Sequence, residues 1–551
     1  MARKIYYADF ETTQPTNNKV EVYLWCVVSG EFVKTGYNIA SFIDFLKTIK
    51  GVIYFHNLKF DFSYIHFFCL KNKLNLQILE KKGTLYSVKL FNVEIRDSMN
   101  FLPITLKEVG ENYCTKFKKT SIDYEVYAPH VATQEEIDYC IMDCRVLEEG
   151  LTNYLNTMID VLTEANATYS AGKVFKKITN AGIAFEAFKE LSDFDEICPK
   201  TTQSEYDAFR PAYKGGYVYS NPKGIVKDVQ MIDCNSMYPF IYSTLDMPYG
   251  KPFKFINESE KNRYKFYIIN INIKYDLRDG FIPIIGGGVG KYGSTIYKSS
   301  SEGLYETLTL CNIDFELIQE FYDIDYTFNW GCGFNVKEKM FKDYCDVFLK
   351  VKNANKGPKR NVAKVMLNSP YGKTAMNGLS EIKRWYIDDA DDIVKSEITG
   401  YQVDDSIYQY IPIAIQITAG ARRLLLQTAK KIGFENVYYM DTDSIKFKYK
   451  ETGINYNGNI LGDWKDEGRC ELFKTIAPKK YVYYHDGVIE FTCAGFNKNV
   501  LTQVLKHKQS VTYDKALELM NTFDKGLSID CLQSKLVEGG RALMKVKKEI
   551  K

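Results

Sequence analysis

The chain has 551 residues, more than a single hydrophobic core usually organises, so two or more domains are expected. Hydrophobic residues make up 45% and charged residues 26%, which excludes a disordered or low-complexity chain. No apolar run reaches the roughly 18 to 20 residues that span a bilayer, and the opening MARKIYYADFETT turns acidic where a signal peptide turns apolar, so the expected setting is a cytoplasm, away from any membrane. The net charge of +3 says little about partners, but KNANKGPKRNVAK (Lys352 to Lys364) is strongly basic and suits phosphate. Thirteen cysteines without a CxxC pair, and five histidines without ligand spacing, fit reduced buried thiols better than a disulfide frame or a zinc site.

In chain order, strand patterns fall at Ile5 to Phe10, Val20 to Val28 and Val52 to Phe55, and a long helical period runs from about Glu135 to Leu162. This first part reads as α/β. Breaks follow around Asn166 to Lys173 and in the turn-rich AYKGGYVYSNPKG (Ala212 to Gly224), before another strand pattern, VQMIDCNSMY. Strands and helices then alternate irregularly to about Tyr484, and the basic ending RALMKVKKEIK reads as a surface element.

Two stretches raise a charge problem. In VYYMDTDSIKF, Asp441 and Asp443 have no basic neighbour, and on a continuous strand their side chains would share a face and repel unless a cation lies between them. A lone DxD is commonly a hairpin turn, but Asp233 ends a second apolar strand, VQMID, so three aspartates from two strand ends would hold two Mg²⁺ ions about 3.5 to 4 Å apart. Between them, Arg360, Lys364, Asn368 and Tyr371 recur at i, i+4, i+8 and i+11 of KRNVAKVMLNSPYGK, a cationic face for a triphosphate with a ring for base or sugar. Near the start, Asp9 and Glu11 share a strand face, and Asp61 and Asp143 come from separated segments, making a second candidate two-metal site. Tyr139, one turn before Asp143, is placed to orient an attacking water. Nucleotidyl transfer and hydrolysis are the chemistries these two sets suggest.

With these residues in view, the chain resembles the protein-primed family B DNA polymerases, the replicases of small tailed phages and linear plasmids. DFETT, FHNLKFD and YCIMD resemble the three 3′–5′ exonuclease motifs; DCNSMYP, KVMLNSPYGK, YMDTDS and PKKY resemble polymerase motifs A, B and C and the Lys-x-Tyr motif, in the family's order. The resemblance implies an α/β and α+β multidomain fold: a ribonuclease H-like exonuclease domain (1–165), a linker with the YxGG motif (166–224), and a right-hand polymerase (225–551). In the polymerase, palm, fingers (about 340–373), palm again (412–483) and thumb (484–551) carry two protein-priming insertions, at about 248–336 and 374–411. By resemblance, Asp233 and Asp443 bind polymerase metals with Asp441 beside them, and Tyr238 is the steric gate against ribose. Lys364 meets the incoming phosphates, assisted by Lys352 and Arg360, while Asn368 and Tyr371 shape the base-pair pocket. Lys479 and Tyr481 would steady the primer end, and Tyr213, Gly215 and Gly216 partition primer strands between the sites. In the exonuclease, Asp9, Glu11, Asp61 and Asp143 would hold Mg²⁺, with Mn²⁺ as a substitute. His56, Asn57, Phe60, Ser98 and Met99 would contact the frayed single strand, and Lys119 the scissile phosphate.

The implied activity is template-directed DNA synthesis on dNTPs with strand displacement and proofreading, primed by a terminal protein that docks on the first insertion, while the second closes a ring around DNA. An RNA-primed family B replicase is the alternative. A monomer in a host cell cytoplasm, with a single-stranded DNA-binding protein as a further partner, is also implied. Two positions depart from the family pattern: Pro370 stands where a leucine is usual in motif B, predicting a bend before Tyr371, and Ile104 stands where an aromatic would stack on the unpaired strand. GGGVGKYGS (Gly286 to Ser294) lacks the GK[ST] of a phosphate-binding loop and reads as a hairpin loop, and Asp388 to Ile393 as a solvated turn.

Overall fold

A computed structural model describes residues 3–550 apart from 82, 123–125, 290–294, 457–459, 497–500, 503–504, 524 and 526. The amino-terminal sheet contains β1 (Ile5–Thr12), β2 (Val22–Ser29), β3 (Phe32–Gly36), β4 (Gly51–Phe55), β5 (Gln77–Lys81), β6 (Thr84–Leu90) and β7 (Val93–Asp97) in the order β3-β2-β1-β4-β7-β6-β5. β1, β4 and β7 run parallel at its centre, and β4, GVIYF, is covered on both faces, which is why it is a continuous apolar run. Trp25, Phe42 and Phe55 fill one face beneath α1 (Ile39–Thr48) and α2 (Leu58–Lys71). The opposite face carries α3 (Leu106–Tyr113) and the 31-residue α4 (Gln134–Glu164), opened by a capping box between Thr133 and Glu136. The helical period expected over Glu135 to Leu162 is this helix; the second strand starts at Val22 rather than Val20.

Short helical segments between Thr168 and Ala212 lead to the second half. There β8 (Val218–Ser220) and β9 (Val226–Cys234) precede α5 (Met237–Thr244). The strand expected over VQMIDCNSMY therefore stops at Cys234: Ser236 turns with φ +52° and Met237 begins a helix. Residues 247–337 form a separate sheet, β10 (Met247–Phe255), β11 (Phe266–Leu277), β14 (Glu306–Cys311) and β15 (Tyr322–Lys337), ordered β10-β15-β11-β14, with the pair β12 (Ile285–Val289) and β13 (Thr295–Lys298) and the helix α6 (Asn312–Phe321). β12 and β13 flank the glycine-rich stretch as an antiparallel hairpin, its residues 290–294 lying outside the described residues. Two helices, α7 (Lys342–Ala354) and α8 (Gly357–Asn368), follow, then the hairpin β16 (Leu379–Ile387) and β17 (Val394–Val403). Asp388 to Ile393 is the tip of that hairpin, and Lys395 pairs with Asp388 and Asp391.

The helix α9 (Ile411–Ile432) is buried nearly all round and backs the main sheet. That sheet adds β18 (Val437–Asp441), β19 (Ser444–Lys448), β20 (Trp464–Ala477), β21 (Lys480–His485), β22 (Val488–Cys493) and β23 (Gln509–Ser510), in the order β23-β22-β21-β20-β9-β19-β18-β8. The helix α10 (Tyr513–Thr522) and the hairpin β24 (Leu527–Val537) and β25 (Gly540–Ile550) close the chain. The tail is not only a surface element. Tyr64 on α2 donates its hydroxyl to the Arg541 carbonyl, and Gly540 lies so close that a Cβ there would come within 2.5 Å of the Tyr64 ring.

One buried ion pair ties three regions together. Arg422 on α9 donates from Nη2 to Asp314 Oδ2 at 2.7 Å and from Nε to Asp314 Oδ1 at 3.1 Å, and from Nη1 to the carbonyls of Lys214 and Gly215, each at 2.9 Å. Burial pushes the Asp314 carboxyl up, but Arg422 and Lys214 outweigh it and leave it below its ordinary value. Replacing Asp314 with Ala strands the guanidinium, an expected loss of about 3–5 kcal/mol. It should appear as a lower urea-unfolding midpoint for the second half of the chain, with Asp314→Asn falling between; equal midpoints for all three proteins would refute the assignment.

Candidate active sites

The first acidic cluster is built where the parallel strands end. Asp9 and Glu11 sit on β1 opposite Cys26 and Leu24 of β2. Asn57, at φ +66°, turns the chain from β4 into α2, whose first turn carries Asp61. Tyr139 and Asp143 lie one turn apart on the face of α4 that covers β1. Asp61 and Asp143 are each only 3% exposed, and Asp61 Oδ1 and Asp143 Oδ1 are buried without a hydrogen-bond partner. Burial, then the Asp143 charge, pushes the Asp9 carboxyl up to about 7. Burial and Asp9 raise both Glu11 and Asp61 well above the usual carboxylate range. Such a set is stable as carboxylates only with added positive charge, and buried unpartnered carboxylate oxygens are the kind of donor a divalent cation takes. Lys119 supplies part of that charge: its Nζ is ion-paired with Asp143 and donates to the Tyr139 hydroxyl at 2.7 Å.

A cavity of about 630 Å³ beside this cluster is lined by Asp9, His56, Asn57, Met99, Lys119 and Asp143. A second, of about 460 Å³, is walled by Glu11, Asn57, Phe60 and Asp61 on one side and by Leu532, Arg541 and Leu543 of the carboxyl-terminal hairpin on the other. Ser98 is the exception among the expected strand contacts. It is fully buried, donates to the Phe55 carbonyl at 3.0 Å and lies 2.8 Å from His56 Nδ1, so it supports His56 instead of facing the cavity. Ile104, also on the cavity wall, meets His56 Nε2 through its carbonyl at 2.7 Å. The sequence reading missed Asp97, whose Oδ1 accepts from the main chains of Asn57 and Met99 and fixes both segments; an aspartate just before Ser98 is a capping signal that was there to be read.

The second cluster lies on the main sheet. Asp233 is opposite Ser444 on β19 and Lys465 on β20, and Cys234 N donates to the Asp443 carbonyl at 2.7 Å, which brings Asp233 and Asp443 together. Burial, then Asp443, pushes the Asp233 carboxyl up to about 6, and burial likewise raises Asp443. Asp441 corrects the sequence reading. β18 ends at Asp441 and β19 begins at Ser444, so Thr442, at φ +59°, and Asp443 form a two-residue hairpin tip and the alternation rule does not apply. Asp441 has a basic partner, Lys479, whose Nζ lies 2.8 and 3.1 Å from its two oxygens, and it also accepts from the Tyr439 and Thr442 hydroxyls. Tyr481 packs against Tyr439 at 4.8 Å between ring centroids, with Lys446 over its ring.

Basic groups converge on this cluster from α7 and α8. Lys352 is 5% exposed, with Nζ 3.3 Å from Ser236 Oγ and 3.4 Å from Asn235 Oδ1; burial, then Arg360 and Lys364, lowers its pKa. Arg360 donates to the Lys352 carbonyl at 3.0 Å, and Asn368 to the Lys364 carbonyl at 2.9 Å. Lys364 is near enough to favour the charged form of Asp443. Tyr371 is not on the helical face assigned to it. α8 ends at Asn368 and Tyr371 opens a 3₁₀ turn after Pro370, which carries its ring onto Tyr238 at 4.3 Å in a near-parallel stack. The YKGGY linker reaches the same place. A Cβ on Gly216 would sit 2.5 Å from Thr442 Oγ1, and Thr442 N donates to the Tyr217 carbonyl. Gly215 has open space around it; its carbonyl is held by Arg422, a residue that sequence reading did not single out. Tyr213 stacks with Arg210.

Residues 43–133 and 127–419 match the family DNA polymerase type B, organellar and viral. The DNA polymerase of Bacillus phage Nf is 30% identical over 521 residues, covering 88% of this chain and 87% of its own length. That of Bacillus phage phi29 is 27% identical over 516 residues, with the same coverage. The structure of phi29 DNA polymerase complexed with primer-template DNA and incoming nucleotide substrates matches 100% of both chains with a TM-score of 0.85 at 24% identity. The fold is thus the expected exonuclease-plus-polymerase arrangement, and nothing in these similarities supports the RNA-primed alternative. The chain belongs to the organellar and viral type B DNA polymerases, in their protein-primed phage branch, and is a DNA-directed DNA polymerase.

Proposed function

We propose that the two acidic clusters are separate two-metal centres, one for synthesis at Asp233 and Asp443 and one for 3′–5′ trimming at Asp9, Glu11, Asp61 and Asp143, in an enzyme that copies a linear viral or plasmid genome from a protein primer. The supporting observation is that carboxylates from separate segments, partly or fully buried, crowd together with pKa values above their ordinary range at two places on two different sheets. These carboxylates would hold Mg²⁺, with Mn²⁺ as a substitute, which would supply charge neutralisation at the reacting phosphate and activation of the attacking oxygen. Residues 1–165 make the exonuclease and 225–551 the polymerase, with α7 and α8 as fingers and residues from 484 as thumb.

At the synthetic site, Lys364 and Arg360 take the triphosphate of a dNTP, and Lys352 braces the Asn235–Ser236 turn beneath it. The stacked rings of Tyr238 and Tyr371 floor the sugar pocket, and Tyr238 is the steric gate against a 2′-hydroxyl; their stacking supports this reading. Asn368 lines the base-pair side. Asp441 anchors Lys479 so that its ammonium meets the primer strand, with Tyr481 beside it. At the trimming site, Lys119 steadies the Tyr139 phenol beside Asp143, while His56, Asn57, Phe60 and Met99 seat the frayed strand. Tyr213, Gly215 and Gly216 join the two. The sheet of residues 247–337 docks the terminal protein, and the β16–β17 hairpin encircles DNA to give strand displacement. The enzyme acts as a monomer in the host cytoplasm, alongside a single-stranded DNA-binding protein.

Asp443→Ala should abolish primer extension while sparing degradation of single-stranded DNA, and Asp9→Ala should do the reverse. Loss of both activities in either folded variant contradicts two separate centres. Tyr238→Ala should raise ribonucleotide over deoxynucleotide incorporation about 100-fold, the scale of one packed contact, measured by competitive extension. Incubation with Mg²⁺, a labelled dNTP and the candidate terminal protein should give covalently labelled protein; extension of oligonucleotides without such labelling would count against protein priming.

A further inference from the structure

The trimming cluster holds a donor that its carboxylates do not account for. Cys140, fully buried on α4 between Tyr139 and Asp143, points its thiol at β1 and donates to the Asp9 carbonyl at 3.6 Å. One carboxylate oxygen of Asp9, one of Glu11 and the Cys140 sulfur all lie within 4.8 Å of one another. Donors around one tetrahedral ion, with metal–oxygen bonds of about 2.0–2.2 Å and metal–sulfur bonds of about 2.3 Å, are roughly 3.5 Å apart, so modest side-chain rotation closes the gap. Asp61 Oδ1 and Asp143 Oδ1, buried and unpartnered, belong to carboxylates close enough to Asp9 to be electrostatically linked with it.

The synthetic site differs. Its adjacent cysteine, Cys234, donates instead to the Gly462 carbonyl at 3.4 Å. Among the described residues, no other cluster of three metal-ligating side chains contains a thiol.

We propose that Cys140 serves as a sulfur ligand at the trimming centre, giving it, but not the synthetic centre, a site for a thiophilic divalent cation of the Zn²⁺ or Co²⁺ class. This rests on the reading of that cluster as a metal centre. Binding exchanges the S–H bond for a sulfur–metal bond and releases the proton to solvent. Sulfur selects Zn²⁺ and Co²⁺, whereas Mg²⁺ prefers oxygen donors alone. The two centres of one enzyme therefore respond to different ions: Zn²⁺ occupies the trimming site at concentrations that leave Mg²⁺-supported synthesis unchanged.

Titration of the full chain with Co²⁺ tests this directly. The wild-type protein should develop a near-ultraviolet sulfur-to-cobalt charge-transfer band that Zn²⁺ bleaches. Cys140→Ser should lose the band, with Co²⁺ affinity lowered at least about 10-fold; Cys144→Ala, one turn further along α4, should keep it. Glu11→Gln, which leaves the thiol untouched, should also weaken Co²⁺ binding and guards against a folding defect in the cysteine variant. A folded wild-type protein with no band at saturating Co²⁺, or a band that survives Cys140→Ser, overturns the proposal. Mg²⁺-dependent degradation by a protein lacking the band refutes only the sulfur ligand, whereas a band without any such degradation refutes the trimming function and leaves the ligand assignment standing.

Discussion

Mutual repulsion among carboxylates that the fold forces out of water is the constraint around which this molecule is organised. A single buried aspartate can be neutralised by protonation or by one arginine, as Asp314 is by Arg422. Asp9, Glu11, Asp61 and Asp143 are packed too closely for that, and Lys119, paired with Asp143, offsets their charge from one edge. Strand ends and helix faces deliver these side chains because those are the places where the backbone is already fixed by packing. Rigid placement is what allows like charges to stay close without relaxing apart.

The second organising element is the way the synthetic hairpin is gripped. Thr442 at its tip touches the Gly216 backbone, Asp441 holds Lys479, and Arg422 holds the linker carbonyls while paired with a helix of the 247–337 sheet. Linker, hairpin, α9 and the 247–337 sheet are therefore joined by hydrogen bonds.

Much of this was legible in the sequence, and the failures have physical causes. The carboxylate motifs pointed to both clusters because Asp9, Glu11 and Asp233 sit on strands and Asp143 on a long periodic helix, with Asp61 and Asp443 at the turns beside them. The expected sharing of a face by Asp441 and Asp443 failed because the alternation rule presumes an unbroken strand, and Thr442 turns the chain between them. Tyr371 was placed on the wrong element because Pro370 ends α8 early, yet the bend anticipated there is what lays its ring on Tyr238. Ser98, expected to contact the single strand, is instead held inside by bonds to Phe55 and His56 that no local pattern announces. Arg422 and Asp314 are 108 positions apart, and a buried arginine has no signature of its own.

The wall that the last hairpin contributes to the trimming cavity has a bearing on how the enzyme comes into being. Tyr64 and Arg541 are separated by 477 positions, so the amino-terminal sheet can fold during synthesis long before Leu532, Arg541 and Leu543 exist to narrow its groove. Until those residues are made, the acidic cluster stands in an open trough. A change confined to β24 and β25 would therefore leave Asp9, Glu11, Asp61 and Asp143 in place while removing one wall of the cavity beside them.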